Sequence, residues 1–182
     1  MISRKQVYLI IWVVLSLPLI FGYSITPARM KEGDRAYDLI QNLSIQPGKV
    51  ALLSFDFGPS TKAENLTQAE VLVEHLMRRR IPIMLTALTP EASGFLESVP
   101  QKVVDRLTKE SGKVDRFYGV DWVNLGYMAG GFIAVQSLPK VQDLAAHFKR
   151  DVKGNRLSDL NIFSGVKTIR DIPLLVEITA LV

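Results

Sequence analysis

The pattern of apolar and polar residues divides the chain after residue 35 into two alternating kinds of segment. Short continuous apolar runs indicate strands that are covered on both faces, whereas apolar residues spaced three or four apart indicate amphipathic helices. The apolar runs are 49–56, 81–88, 120–125 and 174–179. Because strands alternate with helices, the expected fold is α/β, built from right-handed crossovers. The pattern predicts a three-layer, Rossmann-like domain over 36–182, with a mostly parallel sheet of about four strands.

Residue types near the segment ends predict where the helices lie. Thr67 and Glu70 have the spacing of a capping box, which marks a helix start. Amphipathic helices are also predicted over 34–43 and 139–148. The pattern over 132–137 fits either a strand or a helix.

Residues 6–23 form a separate region, largely apolar and without a charged residue, directly after Arg4 and Lys5. At 1.5 Å per residue a helix of this length covers about 27 Å, close to the hydrocarbon thickness of a bilayer. The segment predicts a single-pass membrane anchor over 1–25, in contact with the lipid bilayer through 6–23. A juxtamembrane linker is predicted over 26–35.

Two features of this anchor stay open in the sequence. Thr26-Pro27-Ala28 offers small residues where a signal peptidase cuts, so a secretory signal cleaved after Ala28 is the alternative, although the apolar stretch exceeds the usual signal core. The basic residues before the segment favour a cytoplasmic N-terminus, but basic residues also follow it. The resulting bias is weak, and it favours a globular domain outside the cytoplasmic membrane.

Composition narrows the functional classes. The 182-residue chain has no cysteine, which excludes disulfides, thiolate metal ligands and thiol nucleophiles. Its formal net charge is +4, but most of the excess lies before residue 36, so the globular part is nearly neutral. Nucleic-acid binders carry excess positive charge on the surface that meets phosphate, so the composition argues against nucleic acid as a partner.

The loops that follow the strands hold the candidate site. Open parallel sheets bind ligands beyond the carboxyl ends of their strands. The predicted ligand site comprises the small and polar residues there: Asp56, Ser60, Thr89, Gly126, Gly130 and Gly131. Asp56 and the glycines have structural alternatives, since an aspartate can cap its own loop and glycines can form a tight turn.

No catalytic constellation accompanies these residues. His75 and His147 lie in different predicted helices, without the spacing of a zinc site. The chain has no Gly-x-Ser-x-Gly elbow, no dinucleotide Gly-x-Gly-x-x-Gly sequence and no Walker loop. The sequence therefore predicts no catalytic residue, no metal and no cofactor, and it leaves open whether the protein is an enzyme.

Three segments of the chain are distinctive: 50–60 (VALLSFDFGPS), 119–131 (GVDWVNLGYMAGG) and 165–179 (GVKTIRDIPLLVEIT). Together they resemble a family of uncharacterised bacterial membrane-anchored α/β proteins. The resemblance covers most of 36–179 and is most specific over Val-Asn-Leu-Gly-Tyr at 123–127. It implies a Rossmann-like sheet tethered at the N-terminus, and it brings no activity with it. Gly58 stands where that family tends to have an acid, which weakens a metal site at that loop.

Two functions are compatible with these features. The first is a membrane-tethered, non-catalytic subunit or binding platform in a membrane protein assembly, with a membrane-protein partner or an oligomer at the edge of the sheet. The last predicted strand, 174–179, has no helix after it, so either another chain covers it or the chain is a shortened version of a longer protein. The alternative is an enzyme or sensor that binds a small ligand, such as a nucleotide or phosphate, at the carboxyl ends of the strands.

Overall fold

The computed structural model describes the chain over 3–21, 31–44 and 46–180. The chain divides into two compact units, Met1–Asp38 and Leu39–Val182. The first unit holds a long apolar helix, and the second holds a four-stranded parallel sheet with helices. The fold is α/β, as the alternating pattern predicts.

Helix α1, Arg4–Ile20, is the apolar element of the first unit. A capping box fixes its start: the Ser3 hydroxyl accepts from the Gln6 backbone N–H at 3.4 Å, and the Gln6 carboxamide accepts from the Ser3 N–H at 2.9 Å. Its large apolar side chains are exposed, Trp12 to 69% and Ile20 to 75%. Among the described residues, no helix has both the length and the apolar character needed to cross a membrane.

The structure corrects one prediction for the N-terminal region. The membrane-spanning helix predicted over 6–23 is not found, because α1 ends at Ile20 after 17 residues, and 22–23 lie outside the described residues. The linker predicted over 26–35 is described only from residue 31, where helix α2, Lys31–Asn42, already begins.

The second unit is organised around an all-parallel sheet in the order β3-β2-β1-β4. Its strands are β1 (Ala51–Asp56), β2 (Ile83–Ala87), β3 (Trp122–Tyr127) and β4 (Leu174–Thr179), and its helices are α3 (Lys62–Arg78), α4 (Phe95–Ser111), α5 (Gly131–Ser137) and α6 (Leu144–Phe148). Parallel neighbours need crossover connections, so α3 joins β1 to β2 and α4 joins β2 to β3. The four predicted strands and their parallel arrangement are confirmed.

Two apolar cores lie on opposite faces of the sheet. Leu53 and Phe55 of β1 belong to the cluster formed with α3 and α4. Leu52, which points the other way, belongs to the cluster formed with the irregular segment between β3 and β4. That segment contains α5, α6 and several 3₁₀ turns. All six residues of β1 are buried, which explains why its apolar run is nearly continuous.

Two predicted helix boundaries are wrong for local reasons. Thr67 does not begin α3, which starts at Lys62 after a 3₁₀ turn over Pro59–Thr61. The helix predicted over 139–148 is interrupted because Val141 adopts an extended conformation, and only the second half, α6, is α-helical. The segment that fits either a strand or a helix forms α5.

Candidate functional site

The carboxyl ends of β1, β2 and β3 meet at one edge of the sheet, because the strands are parallel. The residues predicted to bind a ligand lie at this edge: Asp56 and Ser60 after β1, Thr89 after β2, and Gly126, Gly130 and Gly131 at the end of β3. Their shared location is the one that open α/β sheets use for ligands. The hydrogen bonds that these residues already form within the protein determine which of them have polar atoms available to a ligand.

Asp56 closes β1 and is buried, with 3% of its surface exposed. Its Oδ2 accepts a hydrogen bond from the Ser54 hydroxyl at 2.5 Å, and its Oδ1 accepts one from the Leu88 backbone N–H at 2.5 Å. Leu88 directly follows β2, so the carboxylate joins the ends of two neighbouring strands. Both oxygens bind protein donors, which makes Asp56 a structural link between β1 and the loop after β2.

Thr89, the next residue in that loop, has a buried hydroxyl. Its Oγ1 has no hydrogen-bond partner among the described residues. A buried hydroxyl without a partner destabilises a fold relative to an apolar group of the same shape. Ser60, in contrast, is exposed in the 3₁₀ turn after β1. Of these two predicted residues, Thr89 is the one whose buried hydroxyl has no described hydrogen-bond partner.

Gly126 has a φ of +80° inside β3, beside a register shift between Leu85 and Thr86 of β2. Its N–H donates to Asn124 Oδ1 at 2.9 Å, and its carbonyl accepts from the Thr86 hydroxyl at 2.9 Å. Val152 covers it, since a Cβ at position 126 would lie 2.9 Å from Val152 Cγ1. The backbone of Gly126 is therefore both hydrogen-bonded and covered, and it does not cradle an anion.

Gly130 and Gly131 have φ values of +99° and +52° in the turn that leads into α5. Both conformations favour glycine, so the structural alternative for this pair, a tight turn, accounts for them. The next two residues, Phe132 and Ile133, are exposed to 71% and 77%. The first turn of α5 thus presents two exposed apolar side chains beyond the carboxyl ends of the strands.

A pocket of about 430 Å³ opens beside this turn and is lined by residues of β2, β3, α5 and α6. Three of its polar side chains lie outside the predicted site: Thr86, Ser137 and His147. The Ser137 hydroxyl donates to the Ala134 carbonyl at 2.6 Å. The His147 backbone N–H donates to the Asp143 carbonyl at 3.0 Å, and its imidazole ring lies edge-on to the Phe148 ring at 5.1 Å. Thr86 was detectable as a polar residue inside an apolar run. His147 was not, because its position depends on the interruption before α6.

A polar cluster fastens the hairpin over 149–157 against β3. The Tyr118 hydroxyl donates to the buried Asp151 carboxylate at 2.9 Å. The Lys153 ammonium lies 3.7 Å from the centre of the Tyr118 ring and pairs with Glu97 at 2.9 Å. Burial and the hydrogen bond to Asp151 raise the pKa of Tyr118 well above its usual value, so the phenol stays protonated. The hairpin thereby covers the outer edge of β3.

Lys49 and Asp171 form an ion pair next to the start of β1. The hydrogen bond from Lys49, together with those from the backbone N–H groups of Thr168 and Lys167, holds the pKa of Asp171 well below its usual value. Asp171 belongs to the 3₁₀ turn that precedes β4. The charged carboxylate therefore ties the approach to β4 to the start of β1.

We expect Asp171→Asn to destabilise the protein at neutral pH and to have less effect below about pH 4. The pKa of Asp171 is depressed by folding, so its contribution is present above the unfolded pKa of about 3.9 and is lost as the pH falls through the folded value. Urea denaturation of both proteins at pH 7 and at about pH 2.5 measures this. The two midpoints should lie closer together at about pH 2.5 than at pH 7, and an unchanged separation would contradict the role of the charge.

Strand β4 is an edge strand: it is the last strand in the order β3-β2-β1-β4 and pairs with β1 on one side. Leu174, Val176 and Ile178 pack on the core that contains α3. Leu175 and Glu177 lie on the opposite face, where Leu175 is 50% exposed and Glu177 is exposed as well. The same face of the neighbouring β1 is buried. Cover over this face of the sheet therefore ends between β1 and β4.

Comparison of the chain with family models, with curated proteins and with solved structures found no match. The resemblance of the three distinctive segments to membrane-anchored α/β proteins stays a prediction. The geometry of the described residues is therefore what supports a function.

Proposed function

We propose that this protein is a non-catalytic assembly subunit, which associates with lipid through α1 and pairs with a second copy of itself through β4. The observation that carries the proposal is that β4, among the described residues, pairs with β1 alone. Its face opposite α3 is exposed, although it lies beside a strand that is buried on both faces. All-parallel sheets are normally covered on both faces, and an exposed edge strand is a template for pairing with another chain.

The strand order also supports the addition of a further strand beside β4. The order 3-2-1-4 corresponds to the first four strands of a Rossmann sheet, from which we infer a Rossmann-like fold. In that architecture further strands follow on the outer side of the fourth strand. The side of β4 that is open here is therefore the side on which such sheets are extended.

The hydrogen bonding of β4 determines which backbone groups point outward. The Ala180 N–H donates to the Asp56 carbonyl at 3.4 Å, within the ladder that pairs β4 with β1. Consecutive residues of a strand direct their backbone groups to opposite sides, so Val176 also faces β1. The N–H and C=O groups of Leu175 and Glu177 then point away from the sheet, toward an added strand.

An antiparallel β4–β4 pair about a two-fold axis at Val176 suits the side chains of this strand. Leu175 of one copy then lies opposite Glu177 of the other, so no like charges are directly opposed. On the core face, Leu174 of one copy meets Ile178 of the other, which continues the apolar core across the axis. The arrangement is isologous and closes as a dimer with one continuous sheet.

Helix α1 is the element that we propose contacts lipid. Its exposed apolar side chains surround the helix, and the sequence over 6–20 has no charged residue. Helices that are apolar on all sides are usually buried in protein or in lipid. The proposal concerns association with a bilayer, and the cytoplasmic location of the N-terminus stays a prediction.

Removal of the backbone N–H that Glu177 directs away from β1 tests the proposed pairing through β4. Glu177→Pro removes an N–H that does not serve the ladder with β1, and an edge strand tolerates proline in that orientation. We expect the wild-type chain to sediment as a dimer in density-matched detergent, and Glu177→Pro to dimerise about tenfold more weakly or not at all while remaining folded. Glu177→Gln keeps the N–H and loses only the charge, so this matched control should remain dimeric.

Two results would overturn the parts of this proposal separately. A monomeric wild type, or a Glu177→Pro variant that dimerises as well as the wild type, excludes self-pairing through β4; pairing with the strand of a different protein would then assign the edge to that protein. Flotation with phosphatidylcholine vesicles tests α1. The full chain should float, Ile11→Lys combined with Leu15→Lys should reduce flotation, and a wild-type chain that stays below the vesicles excludes lipid association.

A further inference from the structure

The residue after α6 has an unusual backbone conformation. Lys149 has φ +64° and ψ −57°, and the Arg150 N–H donates across it to the Phe148 carbonyl at 2.7 Å. This is a γ-turn with positive φ, which is rare and strained for a residue with a side chain. Such strain persists only where the surrounding structure holds it, and it occurs preferentially at functional sites.

The same turn opens a hairpin that places like charges together. The Leu157 N–H donates to the Lys149 carbonyl at 3.1 Å, and Arg150 pairs with Arg156 in an antiparallel bridge. Residues directly opposite each other in such a bridge direct their side chains to the same face. The two arginine side chains thus leave the backbone on the same face, where their like charges repel each other and an anion beside them would be stabilising.

These cations line a pocket of about 310 Å³ between α6 and the hairpin, together with Ser158 and Asp143. Among the described residues, Asp143 forms no ion pair with these cations. Its Oδ1 caps α6 by accepting from the Ala146 N–H at 3.0 Å, and its Oδ2 lies 3.9 Å from Lys167 Nζ.

No ion pair links Lys149, Arg150 or Arg156 with another residue in the described part of the chain. Arg150 donates one N–H to the Gly154 carbonyl at 2.5 Å, which leaves its other donors available. Lys153 of the same hairpin differs, because it pairs with Glu97 and lies against an aromatic ring. The uncompensated positive charge of the hairpin therefore lies at the pocket.

We propose that Lys149, Arg150 and Arg156 form a binding site for a phosphate monoester. The planar fork of arginine matches the oxygens of a phosphate group, and charge-assisted hydrogen bonds to it are among the stronger polar contacts. A bound dianion offsets the repulsion between the two arginines. The site is independent of β4 and of α1, and it goes beyond the assembly function proposed above.

Two substitutions separate binding from folding. Lys149→Gly removes one cation and relieves the positive φ, so we expect the unfolding temperature without ligand to rise by about 2–4 °C. Arg156→Gln removes one of the two opposed guanidinium groups and should leave that temperature unchanged or slightly raised. Each variant should bind phosphate about tenfold more weakly than the wild type. A merely structural role for these cations predicts the reverse, a loss of stability.

The measurement is thermal unfolding of the full chain in detergent, titrated with inorganic phosphate against chloride at equal ionic strength. Phosphate stabilises folded proteins generally, so the shift that remains in the variants is the background. Lys113→Gln, which removes an exposed lysine in the loop after α4, is the matched control and should respond as the wild type does. Equal phosphate shifts in the wild type and both site variants would overturn the proposal.

Two further probes identify the source of the phosphate. Glycerol 3-phosphate is a soluble monoester, and phosphatidic acid carries the same group on a lipid. A site for a soluble ligand predicts that glycerol 3-phosphate raises the unfolding temperature of the wild type more than that of Arg156→Gln. A headgroup site predicts that phosphatidic acid increases flotation over phosphatidylcholine alone in the wild type and not in Arg156→Gln. If neither probe distinguishes the two proteins, the site does not bind phosphate monoesters.

Discussion

Asp56→Ala is expected to destabilise the second unit by about 2–5 kcal/mol. The substitution leaves the Leu88 N–H and the Ser54 hydroxyl without their acceptor at a buried position, and each unsatisfied group costs about 1–3 kcal/mol. It also removes the link between β1 and the loop after β2. Urea denaturation followed by circular dichroism at pH 7 measures the loss.

Two variants at the same edge of the sheet serve as controls. Asp56→Asn keeps one acceptor oxygen of similar shape, so it should retain about half of the stabilisation. Thr89→Val removes the buried hydroxyl that has no described partner, so it should be neutral or stabilising. An Asp56→Ala variant as stable as the wild type would contradict the structural role of this carboxylate and return it to the candidate ligand site.

Gly165→Ala is expected to cost about 3 kcal/mol or more, as overpacking against rigid atoms does. A Cβ at position 165 would lie 2.6 Å from both the Cα and the carbonyl oxygen of Gly48. The contact is between two stretches of backbone, so no flexible side chain can move aside. The turn before β1 would have to shift, and the ion pair of Lys49 with Asp171 would shift with it. Thermal and urea unfolding both measure the effect.

Gly94→Ala is the matched control for that substitution. Position 94 precedes α4 with φ −67°, and a Cβ there would meet no atom within 4 Å. Its effect should stay within about 0.5 kcal/mol of the wild type. If Gly165→Ala is equally mild, the two backbone segments can separate freely, and the close approach does not contribute to the stability of this region.

At the candidate site, the sequence predicts where the residues lie but not which hydrogen bonds they form. The location of Asp56, Thr89 and Gly126 at one edge of the sheet was predictable, because it depends only on strands being parallel. Their hydrogen-bond partners were not predictable. The N–H and C=O of Gly126 form hydrogen bonds with Asn124 and Thr86. Val152 covers the same residue, and no local sequence pattern relates it to Gly126. The small-ligand function built on these residues stays a prediction.

The unpaired cations were missed for the same kind of reason. Lys149, Arg150 and Arg156 lie outside every helix and strand that the sequence pattern predicts. Their significance comes from the positive φ of Lys149 and from the bridge that opposes the two arginines. By contrast, the more conspicuous triple arginine at the end of α3 is bound within the protein, to Glu110, the Leu43 carbonyl and Asp115. The density of charge in the sequence therefore does not identify the charges that remain available.

The sequence by itself determined the α/β class, the four strands and their parallel arrangement, because burial on one or both faces imposes a period on neighbouring residues. It also located β4 at 174–179, the same bounds that the structure has. Only the tertiary structure decided that β4 lies at an edge beside β1, that each carboxylate oxygen of Asp56 accepts a hydrogen bond from the protein, and that α1 ends at Ile20. Strand order and hydrogen-bond partners join residues that are far apart along the chain, and their energies depend on packing that a local period does not encode.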